Sequence, residues 1–246
     1  MKSEATVVES FERFEFKYWA PLDKLEQGLK LLEMQADERS GASQQNTSLY
    51  LDSPHRVFLQ QHLSGSPDRL KLRVRYYGER PSDECFWEIK RRQGAMVTKR
   101  RAVVGLVDSR RLLTDLTAPL PSTNGALEAF QYLALRCSAR PALLVRGRRQ
   151  SFRASDRALD VRLTIDREVE WQPTRAPDFL EPEPRLWRRI SQGADRALVE
   201  VKFHAARPWW LGRFTEHLAP WRVSFSKYVA AAIEARNDPF FTMDAA

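Results

Sequence analysis

Two stretches of sequence decide the fold: K-L-R-V-R-Y-Y at residues 71–77 and F-W-E-I-K-R at residues 86–91. In both, charged residues alternate with large apolar residues, a period of two that is typical of β-strands. Successive side chains of a strand point to opposite faces, so Lys71, Arg73 and Arg75 share one face and the apolar residues share the other. The connection G-E-R-P-S-D at residues 78–83 predicts that the two strands form a hairpin.

Similar strand patterns recur along the chain, and helical patterns lie between them. Strands are predicted over residues 11–18, 47–51, 69–77, 84–92, 96–104, 142–152, 158–166, 168–171 and 197–204. Helices are predicted over residues 21–35, from Asp52-Ser53-Pro54 to residue 63, over 109–136 with a break at 119–125, and over 208–218 and 225–235. This order predicts an α+β fold with a large antiparallel sheet.

The charged face of the strands favours a closed sheet over a flat one. Like charges on neighbouring strands repel each other, so an anionic ligand or interleaved carboxylates should relieve them. A closed antiparallel barrel of about eight strands encloses room for a small ligand, with the helices packed outside. We expect residues 1–246 to form one domain, although the proline-rich segment 173–184 could instead be a domain linker.

The composition restricts the partners. Forty Lys and Arg against 32 Asp and Glu give a net charge of +8, which suits nucleic acid, acidic lipid, nucleotides or polyphosphate. Cys85 and Cys137, the only cysteines, lack metal-ligand spacing, so we expect reduced thiols. No signal sequence or long apolar run is present, which predicts a soluble, cytoplasmic protein.

Any phosphate binding must come from side chains, because neither G-x-x-x-x-G-K-[ST] nor G-x-G-x-x-G occurs. Glu15, Glu88 and Glu200 lie among the cations of the charged face. Phosphoryl transfer usually needs a divalent metal held by such oxygens. Internal salt bridges with neighbouring lysines are an equally good interpretation of each glutamate.

The charged strands resemble the VTC domain of the triphosphate tunnel metalloenzyme superfamily over nearly the whole chain. The matching pieces, in order, are F-E-R-F-E-F-K-Y-W, S-L-Y-L-D-S, K-L-R-V-R-Y-Y-G, F-W-E-I-K-R, V-T-K-R-R, R-R-Q-S-F, V-R-L-T-I-D-R, L-V-E-V-K and S-F-S-K-Y. Each piece is short, and their common order makes the resemblance specific.

The resemblance implies a tunnel that binds a nucleoside triphosphate and a growing polyphosphate chain, with Mn²⁺ or Mg²⁺ as the cofactor. It implies phosphate-binding roles for Lys17, Arg73, Arg75, Lys90, Lys99, Arg149, Arg162, Ser226 and Lys227. Lys71 is added to this set because it alternates with Leu72 and so shares a face with Arg73. Lys202 is added because it lies one strand period from Glu200. The residues expected to act in catalysis are Arg73, Arg75, Lys90 and Lys227; Glu200, Glu15 and Glu88 are the expected metal ligands.

Three positions depart from this picture or have a second interpretation. Arg13 stands where other tunnel enzymes begin an E-x-E-x-K motif, so the phosphatase branches fit less well. Alternation from Arg146 and Arg148 points Arg149 to the other face unless a bulge intervenes. Ser226 could simply cap the helix that follows it.

We therefore predict a polyphosphate polymerase that uses ATP or another nucleoside triphosphate. Triphosphate hydrolysis and a sensor that binds polyphosphate, triphosphate or pyrophosphate without turnover remain alternatives. Nucleic acid is not the expected partner, but a nucleic-acid binder that uses the basic charge is a further alternative. Such a binder would need cations on an exposed surface, so the burial of Arg73, Arg75 and Arg162 distinguishes the two cases. A membrane-protein partner stays open, and the sequence does not predict the oligomeric state.

Overall fold

The computed structural model describes residues 13–32, 36–38, 43–81, 83–121, 123–156, 159–174, 182–191, 195–204 and 207–236. Its strands are β1 (Arg13–Pro21), β2 (Ala36–Glu38), β3 (Gln44–Asp52), β4 (Asp68–Tyr77), β5 (Glu84–Gln93), β6 (Met96–Gly105), β7 (Arg140–Ala154), β8 (Arg162–Pro173), β9 (Arg188–Arg189) and β10 (Arg196–His204). Its helices are α1 (Leu22–Lys30), α2 (Val57–Leu63), α3 (Leu106–Thr114), α4 (Gly125–Arg136), α5 (Trp209–His217) and α6 (Lys227–Arg236).

All of these strands join one antiparallel sheet, which confirms the predicted α+β architecture. The strand order is β1-β10-β8-β7-β3-β4-β5-β6, with the short β2 beside β7 and the short β9 beside β8. The predicted barrel closure is not formed by hydrogen bonds: over the described residues, β1 and β6 end the sheet without pairing to each other. Alternation determines which face lies inside, but not whether the last two strands come within hydrogen-bonding distance.

The sheet nevertheless curls until its two ends face each other. Lys90 of β5 places its Nζ 4.0 Å from Oε2 of Glu15 on β1, although five other strands of the sheet lie between them. Strand twist accumulates across a sheet of this size and provides the curvature. A concave interior therefore exists, bridged by side chains where backbone pairing stops.

The outer face of the sheet is apolar and is covered by helices in two places. Strands β3 to β6 pack against α3 and α4, where the rings of Trp87 and Phe130 meet edge to face at 4.8 Å. Strands β1, β8 and β10 pack against α1 and α5, where a Cβ on Gly28 would lie 3.1 Å from the Phe214 ring. These four helices therefore cover only the outer face and leave the charged part of the concave face uncovered.

Helix α6 fills the apolar end of the concave face. Trp19, Tyr50, Leu143 and Leu198 form that end and pack with Tyr228 and the alanines of α6. The charged residues lie farther along the same strand faces, so the N-terminus of α6 borders them. Within the described parts of the chain, no helix is long and apolar enough to span a bilayer.

One local prediction is confirmed and another needs correction. Helix α2 begins at Val57, after the predicted capping residues, and the side chains of Asp52 and Ser53 accept the first backbone N–H groups of the helix. The predicted strands 158–166 and 168–171 form the single strand β8, which carries a bulge where Glu168 has a φ of 50°. A bulge keeps a strand continuous while it adds one residue.

Candidate active site

The site is built from the charged rows of β1, β10, β8, β7, β4, β5 and β6, which the register sets side by side. Directly opposite pairs are Glu15 with Lys202, Lys17 with Glu200, Arg149 with Asp166, Lys71 with Lys90, Arg73 with Glu88, and Lys90 with Lys99. Opposite residues of an antiparallel pair share a face. Cations from both halves of the sheet therefore meet in one interior.

Glu88 is the centre of one cluster of cations. It is 1% exposed, and its two oxygens receive Arg73 Nε at 2.5 Å, Lys99 Nζ at 2.9 Å and Arg101 Nη2 at 2.6 Å. Burial alone would raise the pKa of Glu88, but these cations together with Arg75 hold it far below its usual range. Glu88 is a permanent anion that pairs with three cations, while Arg75 acts on it only through its charge at longer range.

Glu15 and Glu200 form a second anionic pair that shares its lysines. Lys202 Nζ lies 3.6 Å from Oε2 of Glu15 and 3.2 Å from Oε2 of Glu200, and Lys17 Nζ lies 3.1 and 3.6 Å from Oε1 of the same two residues. Burial opposes ionisation of Glu200, yet Lys202 and Lys17 hold its pKa well below the usual value. Two carboxylates thus flank the same small cations.

Asp166 anchors a third cluster. Arg149 binds it in two places, Nε to Oδ1 at 2.8 Å and Nη2 to Oδ2 at 2.6 Å, and Lys227 Nζ lies 2.7 Å from Oδ2. Burial lowers the pKa of Lys227 to about 8, although Asp166 opposes this. The sequence prediction omitted Asp166 from the site, but the alternation in V-R-L-T-I-D places it on one face with Arg162 and Thr164.

The start of α6 reaches the cations of β1 and β4. Lys17 Nζ donates to the carbonyl of Phe225 at 3.1 Å, and Lys71 Nζ donates to Oγ of Ser226 at 2.8 Å. Burial, together with the charges of Lys90 and Lys17, lowers the pKa of Lys71 to about 7. Ser226 Oγ also accepts the N–H of Val229 at 3.4 Å, so the hydroxyl caps the helix as well as touching a lysine.

The helix is held in this position by a buried hydrogen bond. Tyr228 Oη donates to Oδ2 of Asp52 at 2.5 Å, and the Tyr228 ring stacks on Tyr50 with centroids 5.0 Å apart. The same Asp52 caps α2, so one carboxylate fixes both helices. Sequence patterns predicted the cap, and only the folded chain shows the link to α6.

Arg75 differs from the other interior cations. Arg75 is 5% exposed, and its Nε donates to Oγ of Ser48 at 2.9 Å. Within the described chain, however, no carboxylate lies at ion-pair distance from Arg75. Burial and the neighbouring Arg73 lower the pKa of Arg75. A buried cation without a paired anion is costly unless a ligand supplies the negative charge.

Two further predicted residues face the same interior. Arg149 lies on the inner face of β7, whereas Arg146 and Arg148 lie on the outer face, so no bulge in β7 is required; the extra residue belongs to β8. Arg162 is half-buried and lies opposite Lys202 on β10. All predicted phosphate-binding residues therefore point to the concave side or border it.

A divalent metal fits part of this donor set. No group of three His, Cys, Asp or Glu residues that could hold a metal occurs in the described ranges. Mg²⁺ and similar ions, however, bind through one or two carboxylates and complete their shell with water and phosphate oxygens. Glu15 and Glu200 hold two lysine ammonium groups, those of Lys17 and Lys202, between them, and a divalent ion would take their place. The oxygens of Glu88 are instead held by two guanidinium groups, those of Arg73 and Arg101, as well as by Lys99.

Comparison with known proteins agrees with this geometry. A family model described as the VTC domain matches residues 12–234. The structure of a Bacillus halodurans protein, provisionally described as an adenylate cyclase, superposes with a TM-score of 0.51 and 11% identity over 88% of this chain and 94% of that chain. This likeness supports the fold alone.

Two more distant structures add nothing further to that conclusion. A Vibrio parahaemolyticus protein with the same provisional description has a TM-score of 0.44 and 14% identity, with 91% of this chain and 99% of that chain covered. The PH1819 protein of Pyrococcus horikoshii has a TM-score of 0.42 and 14% identity, with 90% and 98% covered. No curated protein matches the chain significantly in sequence.

Proposed function

This chain belongs to the VTC domain family of the triphosphate tunnel superfamily, and from that premise we propose that it is a polyphosphate polymerase. It would transfer the terminal phosphoryl group of ATP to a growing polyphosphate chain inside the curled sheet. The acceptor is phosphate or the end of the chain, and the products are ADP and a chain longer by one phosphate.

The single observation that carries the proposal is the unpaired charge of Arg75. Its guanidinium is buried in the interior, and no carboxylate in the described chain is paired with it. Lys71 is in a similar position: among the described residues its amine has a hydrogen bond to Ser226 and no ion pair, and other cations lie near it. A polyanion placed between them would supply the missing charge, and a guanidinium suits phosphate oxygens in particular.

Burial also separates this proposal from nucleic-acid binding. Only 24% of the Arg73 side chain is exposed, Arg75 is almost fully buried, and Arg162 is half-buried. A double helix needs cations on an open surface, whereas a single phosphate chain can enter a narrow interior. The enclosed cations therefore favour triphosphate or polyphosphate.

The chemistry requires positioning more than covalent participation. Phosphoryl transfer is accelerated when the attacking and leaving oxygens are held in line and the charge of the transferred group is neutralised. In our proposal Arg73 and Arg75 grip the transferred group from the β4 side, while Lys227, placed by Asp166, approaches it from α6. Lys90 lies near Glu15 of β1 and would guide the chain.

Glu200 and Glu15 are the residues that would hold Mn²⁺ or Mg²⁺ in this proposal. When bound, such a metal neutralises charge on phosphoryl oxygens and helps to align them. The two lysines between these carboxylates, Lys17 and Lys202, would then be released to bind phosphate oxygens. In the ligand-free protein, the two carboxylates therefore hold both lysines in position.

The experiment is to incubate purified protein with ATP and Mn²⁺ or Mg²⁺ and to measure polyphosphate and free phosphate together. We expect polyphosphate from the wild type and little from Glu200→Gln or Arg75→Ala. Free phosphate without polymer would replace the proposal with triphosphate hydrolysis. Neither product, in folded protein that binds triphosphate tightly, would favour a sensor.

A further inference from the structure

Thr164 lies in the middle of β8 on the inner face of the sheet. It is directly opposite Glu200 on β10 and Ser151 on β7, and it is 3% exposed. Opposite residues of antiparallel strands have Cβ atoms about 5 Å apart, so the Thr164 side chain lies beside the Glu200 side chain. It also lies between Arg162 and Asp166, its neighbours on the same face of the strand.

The hydroxyl of Thr164 has no hydrogen-bond partner in the part of the chain that the structure describes. The charged groups on either side of it do have partners: Glu200 contacts Lys17 and Lys202, and Asp166 contacts Arg149. An unpaired buried hydroxyl is unfavourable, and valine would fill the same volume without that cost. The residue therefore needs an explanation other than packing.

We propose that the Thr164 hydroxyl is a ligand-binding group that donates a hydrogen bond to a phosphoryl oxygen of the bound chain. The inference rests on the proposed function, because it assumes a phosphate chain in the interior. The chain would pass from the Glu200 lysines to the Arg149 and Lys227 pair, and Thr164 lies between these two sets of cations. A neutral donor there can orient a phosphate oxygen without adding to the repulsion among the cations.

The groups around Thr164 support its role as a hydrogen-bond donor to the ligand. The charged inner-face groups beside it are already engaged in ion pairs, Arg149 with Asp166 and Lys202 with Glu200. The buried Thr164 hydroxyl offers a proton that no atom of the described residues accepts. A ligand can therefore accept this hydrogen bond without breaking one that already exists within the protein.

The test is titration calorimetry with inorganic triphosphate, without turnover, together with thermal unfolding of the ligand-free protein. For Thr164→Val we expect the affinity for triphosphate to fall about tenfold, in line with the loss of a hydrogen bond to a charged group. The unfolding midpoint of this variant should equal or exceed that of the wild type, because an unpaired hydroxyl has been removed. Thr164→Ser, which keeps the hydroxyl, should restore most of the affinity.

Thr47→Val is the matched control. Thr47 is a fully buried threonine near the centre of the sheet, but it lies on the outer face opposite Tyr76 and Arg146. We expect its affinity for triphosphate to remain at the wild-type value. Equal affinities of Thr164→Val and the wild type would overturn the inference, and so would a joint loss of stability and affinity that Thr164→Ser fails to rescue. Wild-type protein that does not bind triphosphate would overturn the proposed function as well.

Discussion

Lys90 on β5 and Glu15 on β1 approach to 4.0 Å although they stand near opposite ends of the strand order. The contact closes the sheet with side chains at the point where backbone hydrogen bonding stops. It is a weak link, because 49% of the Lys90 side chain and 29% of the Glu15 side chain are exposed. Charged side chains therefore line the interior where the two halves of the curled sheet approach each other.

Replacing Lys90 with methionine should separate ligand binding from stability. We expect the free energy of unfolding to change by less than about 1 kcal/mol, because exposed ion pairs contribute little. Triphosphate affinity and its dependence on salt should both decrease, since one phosphate-binding charge is lost. Arg91→Met is the control: Arg91 lies on the outer face, bonded to Asp68, and its loss should leave the affinity unchanged.

Arg75→Met should stabilise the ligand-free protein while it abolishes function. Removing an unpaired buried charge should raise the free energy of unfolding by about 1 kcal/mol, although the Ser48 hydroxyl loses its donor. Triphosphate affinity should fall about a hundredfold, as expected when a buried charged contact is lost. Chemical denaturation and calorimetry measure the two effects; a variant that binds as tightly as the wild type would remove Arg75 from the site.

Glu88→Gln should destabilise the fold, because three cations lose the anion that pairs with them. We expect a loss of about 3 kcal/mol, at the lower end of the range for a broken buried pair, since Lys99 and Arg101 remain partly in water. Chemical denaturation measures the loss. Asp68→Asn, which breaks the exposed pair with Arg91, serves as the control and should have a small effect.

The pH dependence of stability gives a second test of the same residue. The folded-state pKa of Glu88 is lowered from 4.5, so the folded chain binds fewer protons than the unfolded chain at acid pH. Its contribution is complete above pH 4.5 and is lost as the pH falls towards the lower value. The acid destabilisation should therefore be smaller in Glu88→Gln than in the wild type.

Triphosphate binding should take up protons at mildly alkaline pH. Burial lowers the pKa of Lys71 from 10.5 to about 7, so between these values the amine is largely neutral in the free protein. A bound polyanion raises that pKa again, and the amine then takes a proton from the buffer. Calorimetry in two buffers with different ionisation enthalpies should show proton uptake that decreases in Lys71→Met; an unchanged uptake would contradict this assignment.

The lowered pKa of Lys71 also makes the stability of the ligand-free protein depend on pH. The unfolded chain binds more protons than the folded chain between pH 7 and 10.5, so the Lys71 contribution to the free energy of unfolding increases as the pH rises through that window. The Glu88 contribution also increases with pH, but only below pH 4.5, so the two residues act in separate pH windows. The two residues can therefore be distinguished in one set of denaturation curves.

Alternation in the sequence was sufficient to find the long strands and their inner face, but not the short strands β2 and β9. It placed Arg73, Lys90 and Glu200 on one side of the sheet, and the register confirms that they share the concave face. It could not predict that the end strands fail to pair, because closure depends on the summed twist of many strands. It also left the orientation of Arg149 open, which the pairing with β3 now decides.

Residues that act through long-range contacts were harder to find. Asp166 resembles any alternating strand residue until Arg149 and Lys227 are seen around it. Asp52 was predicted as a helix cap, but its bond to Tyr228 joins positions that are far apart in the sequence. Such contacts depend on the topology of the folded chain, which cannot be predicted from the spacing of residues in a short stretch of sequence.

The central claim is that a phosphate chain binds inside the curled sheet, and a crystal structure of the protein with inorganic triphosphate and Mn²⁺ tests it most directly. The account predicts triphosphate density in the interior, in contact with Arg75, Lys227 and the Thr164 hydroxyl, with the metal at Glu200. Triphosphate bound only on the outer face of the sheet, with Arg75 still unpaired, would contradict it.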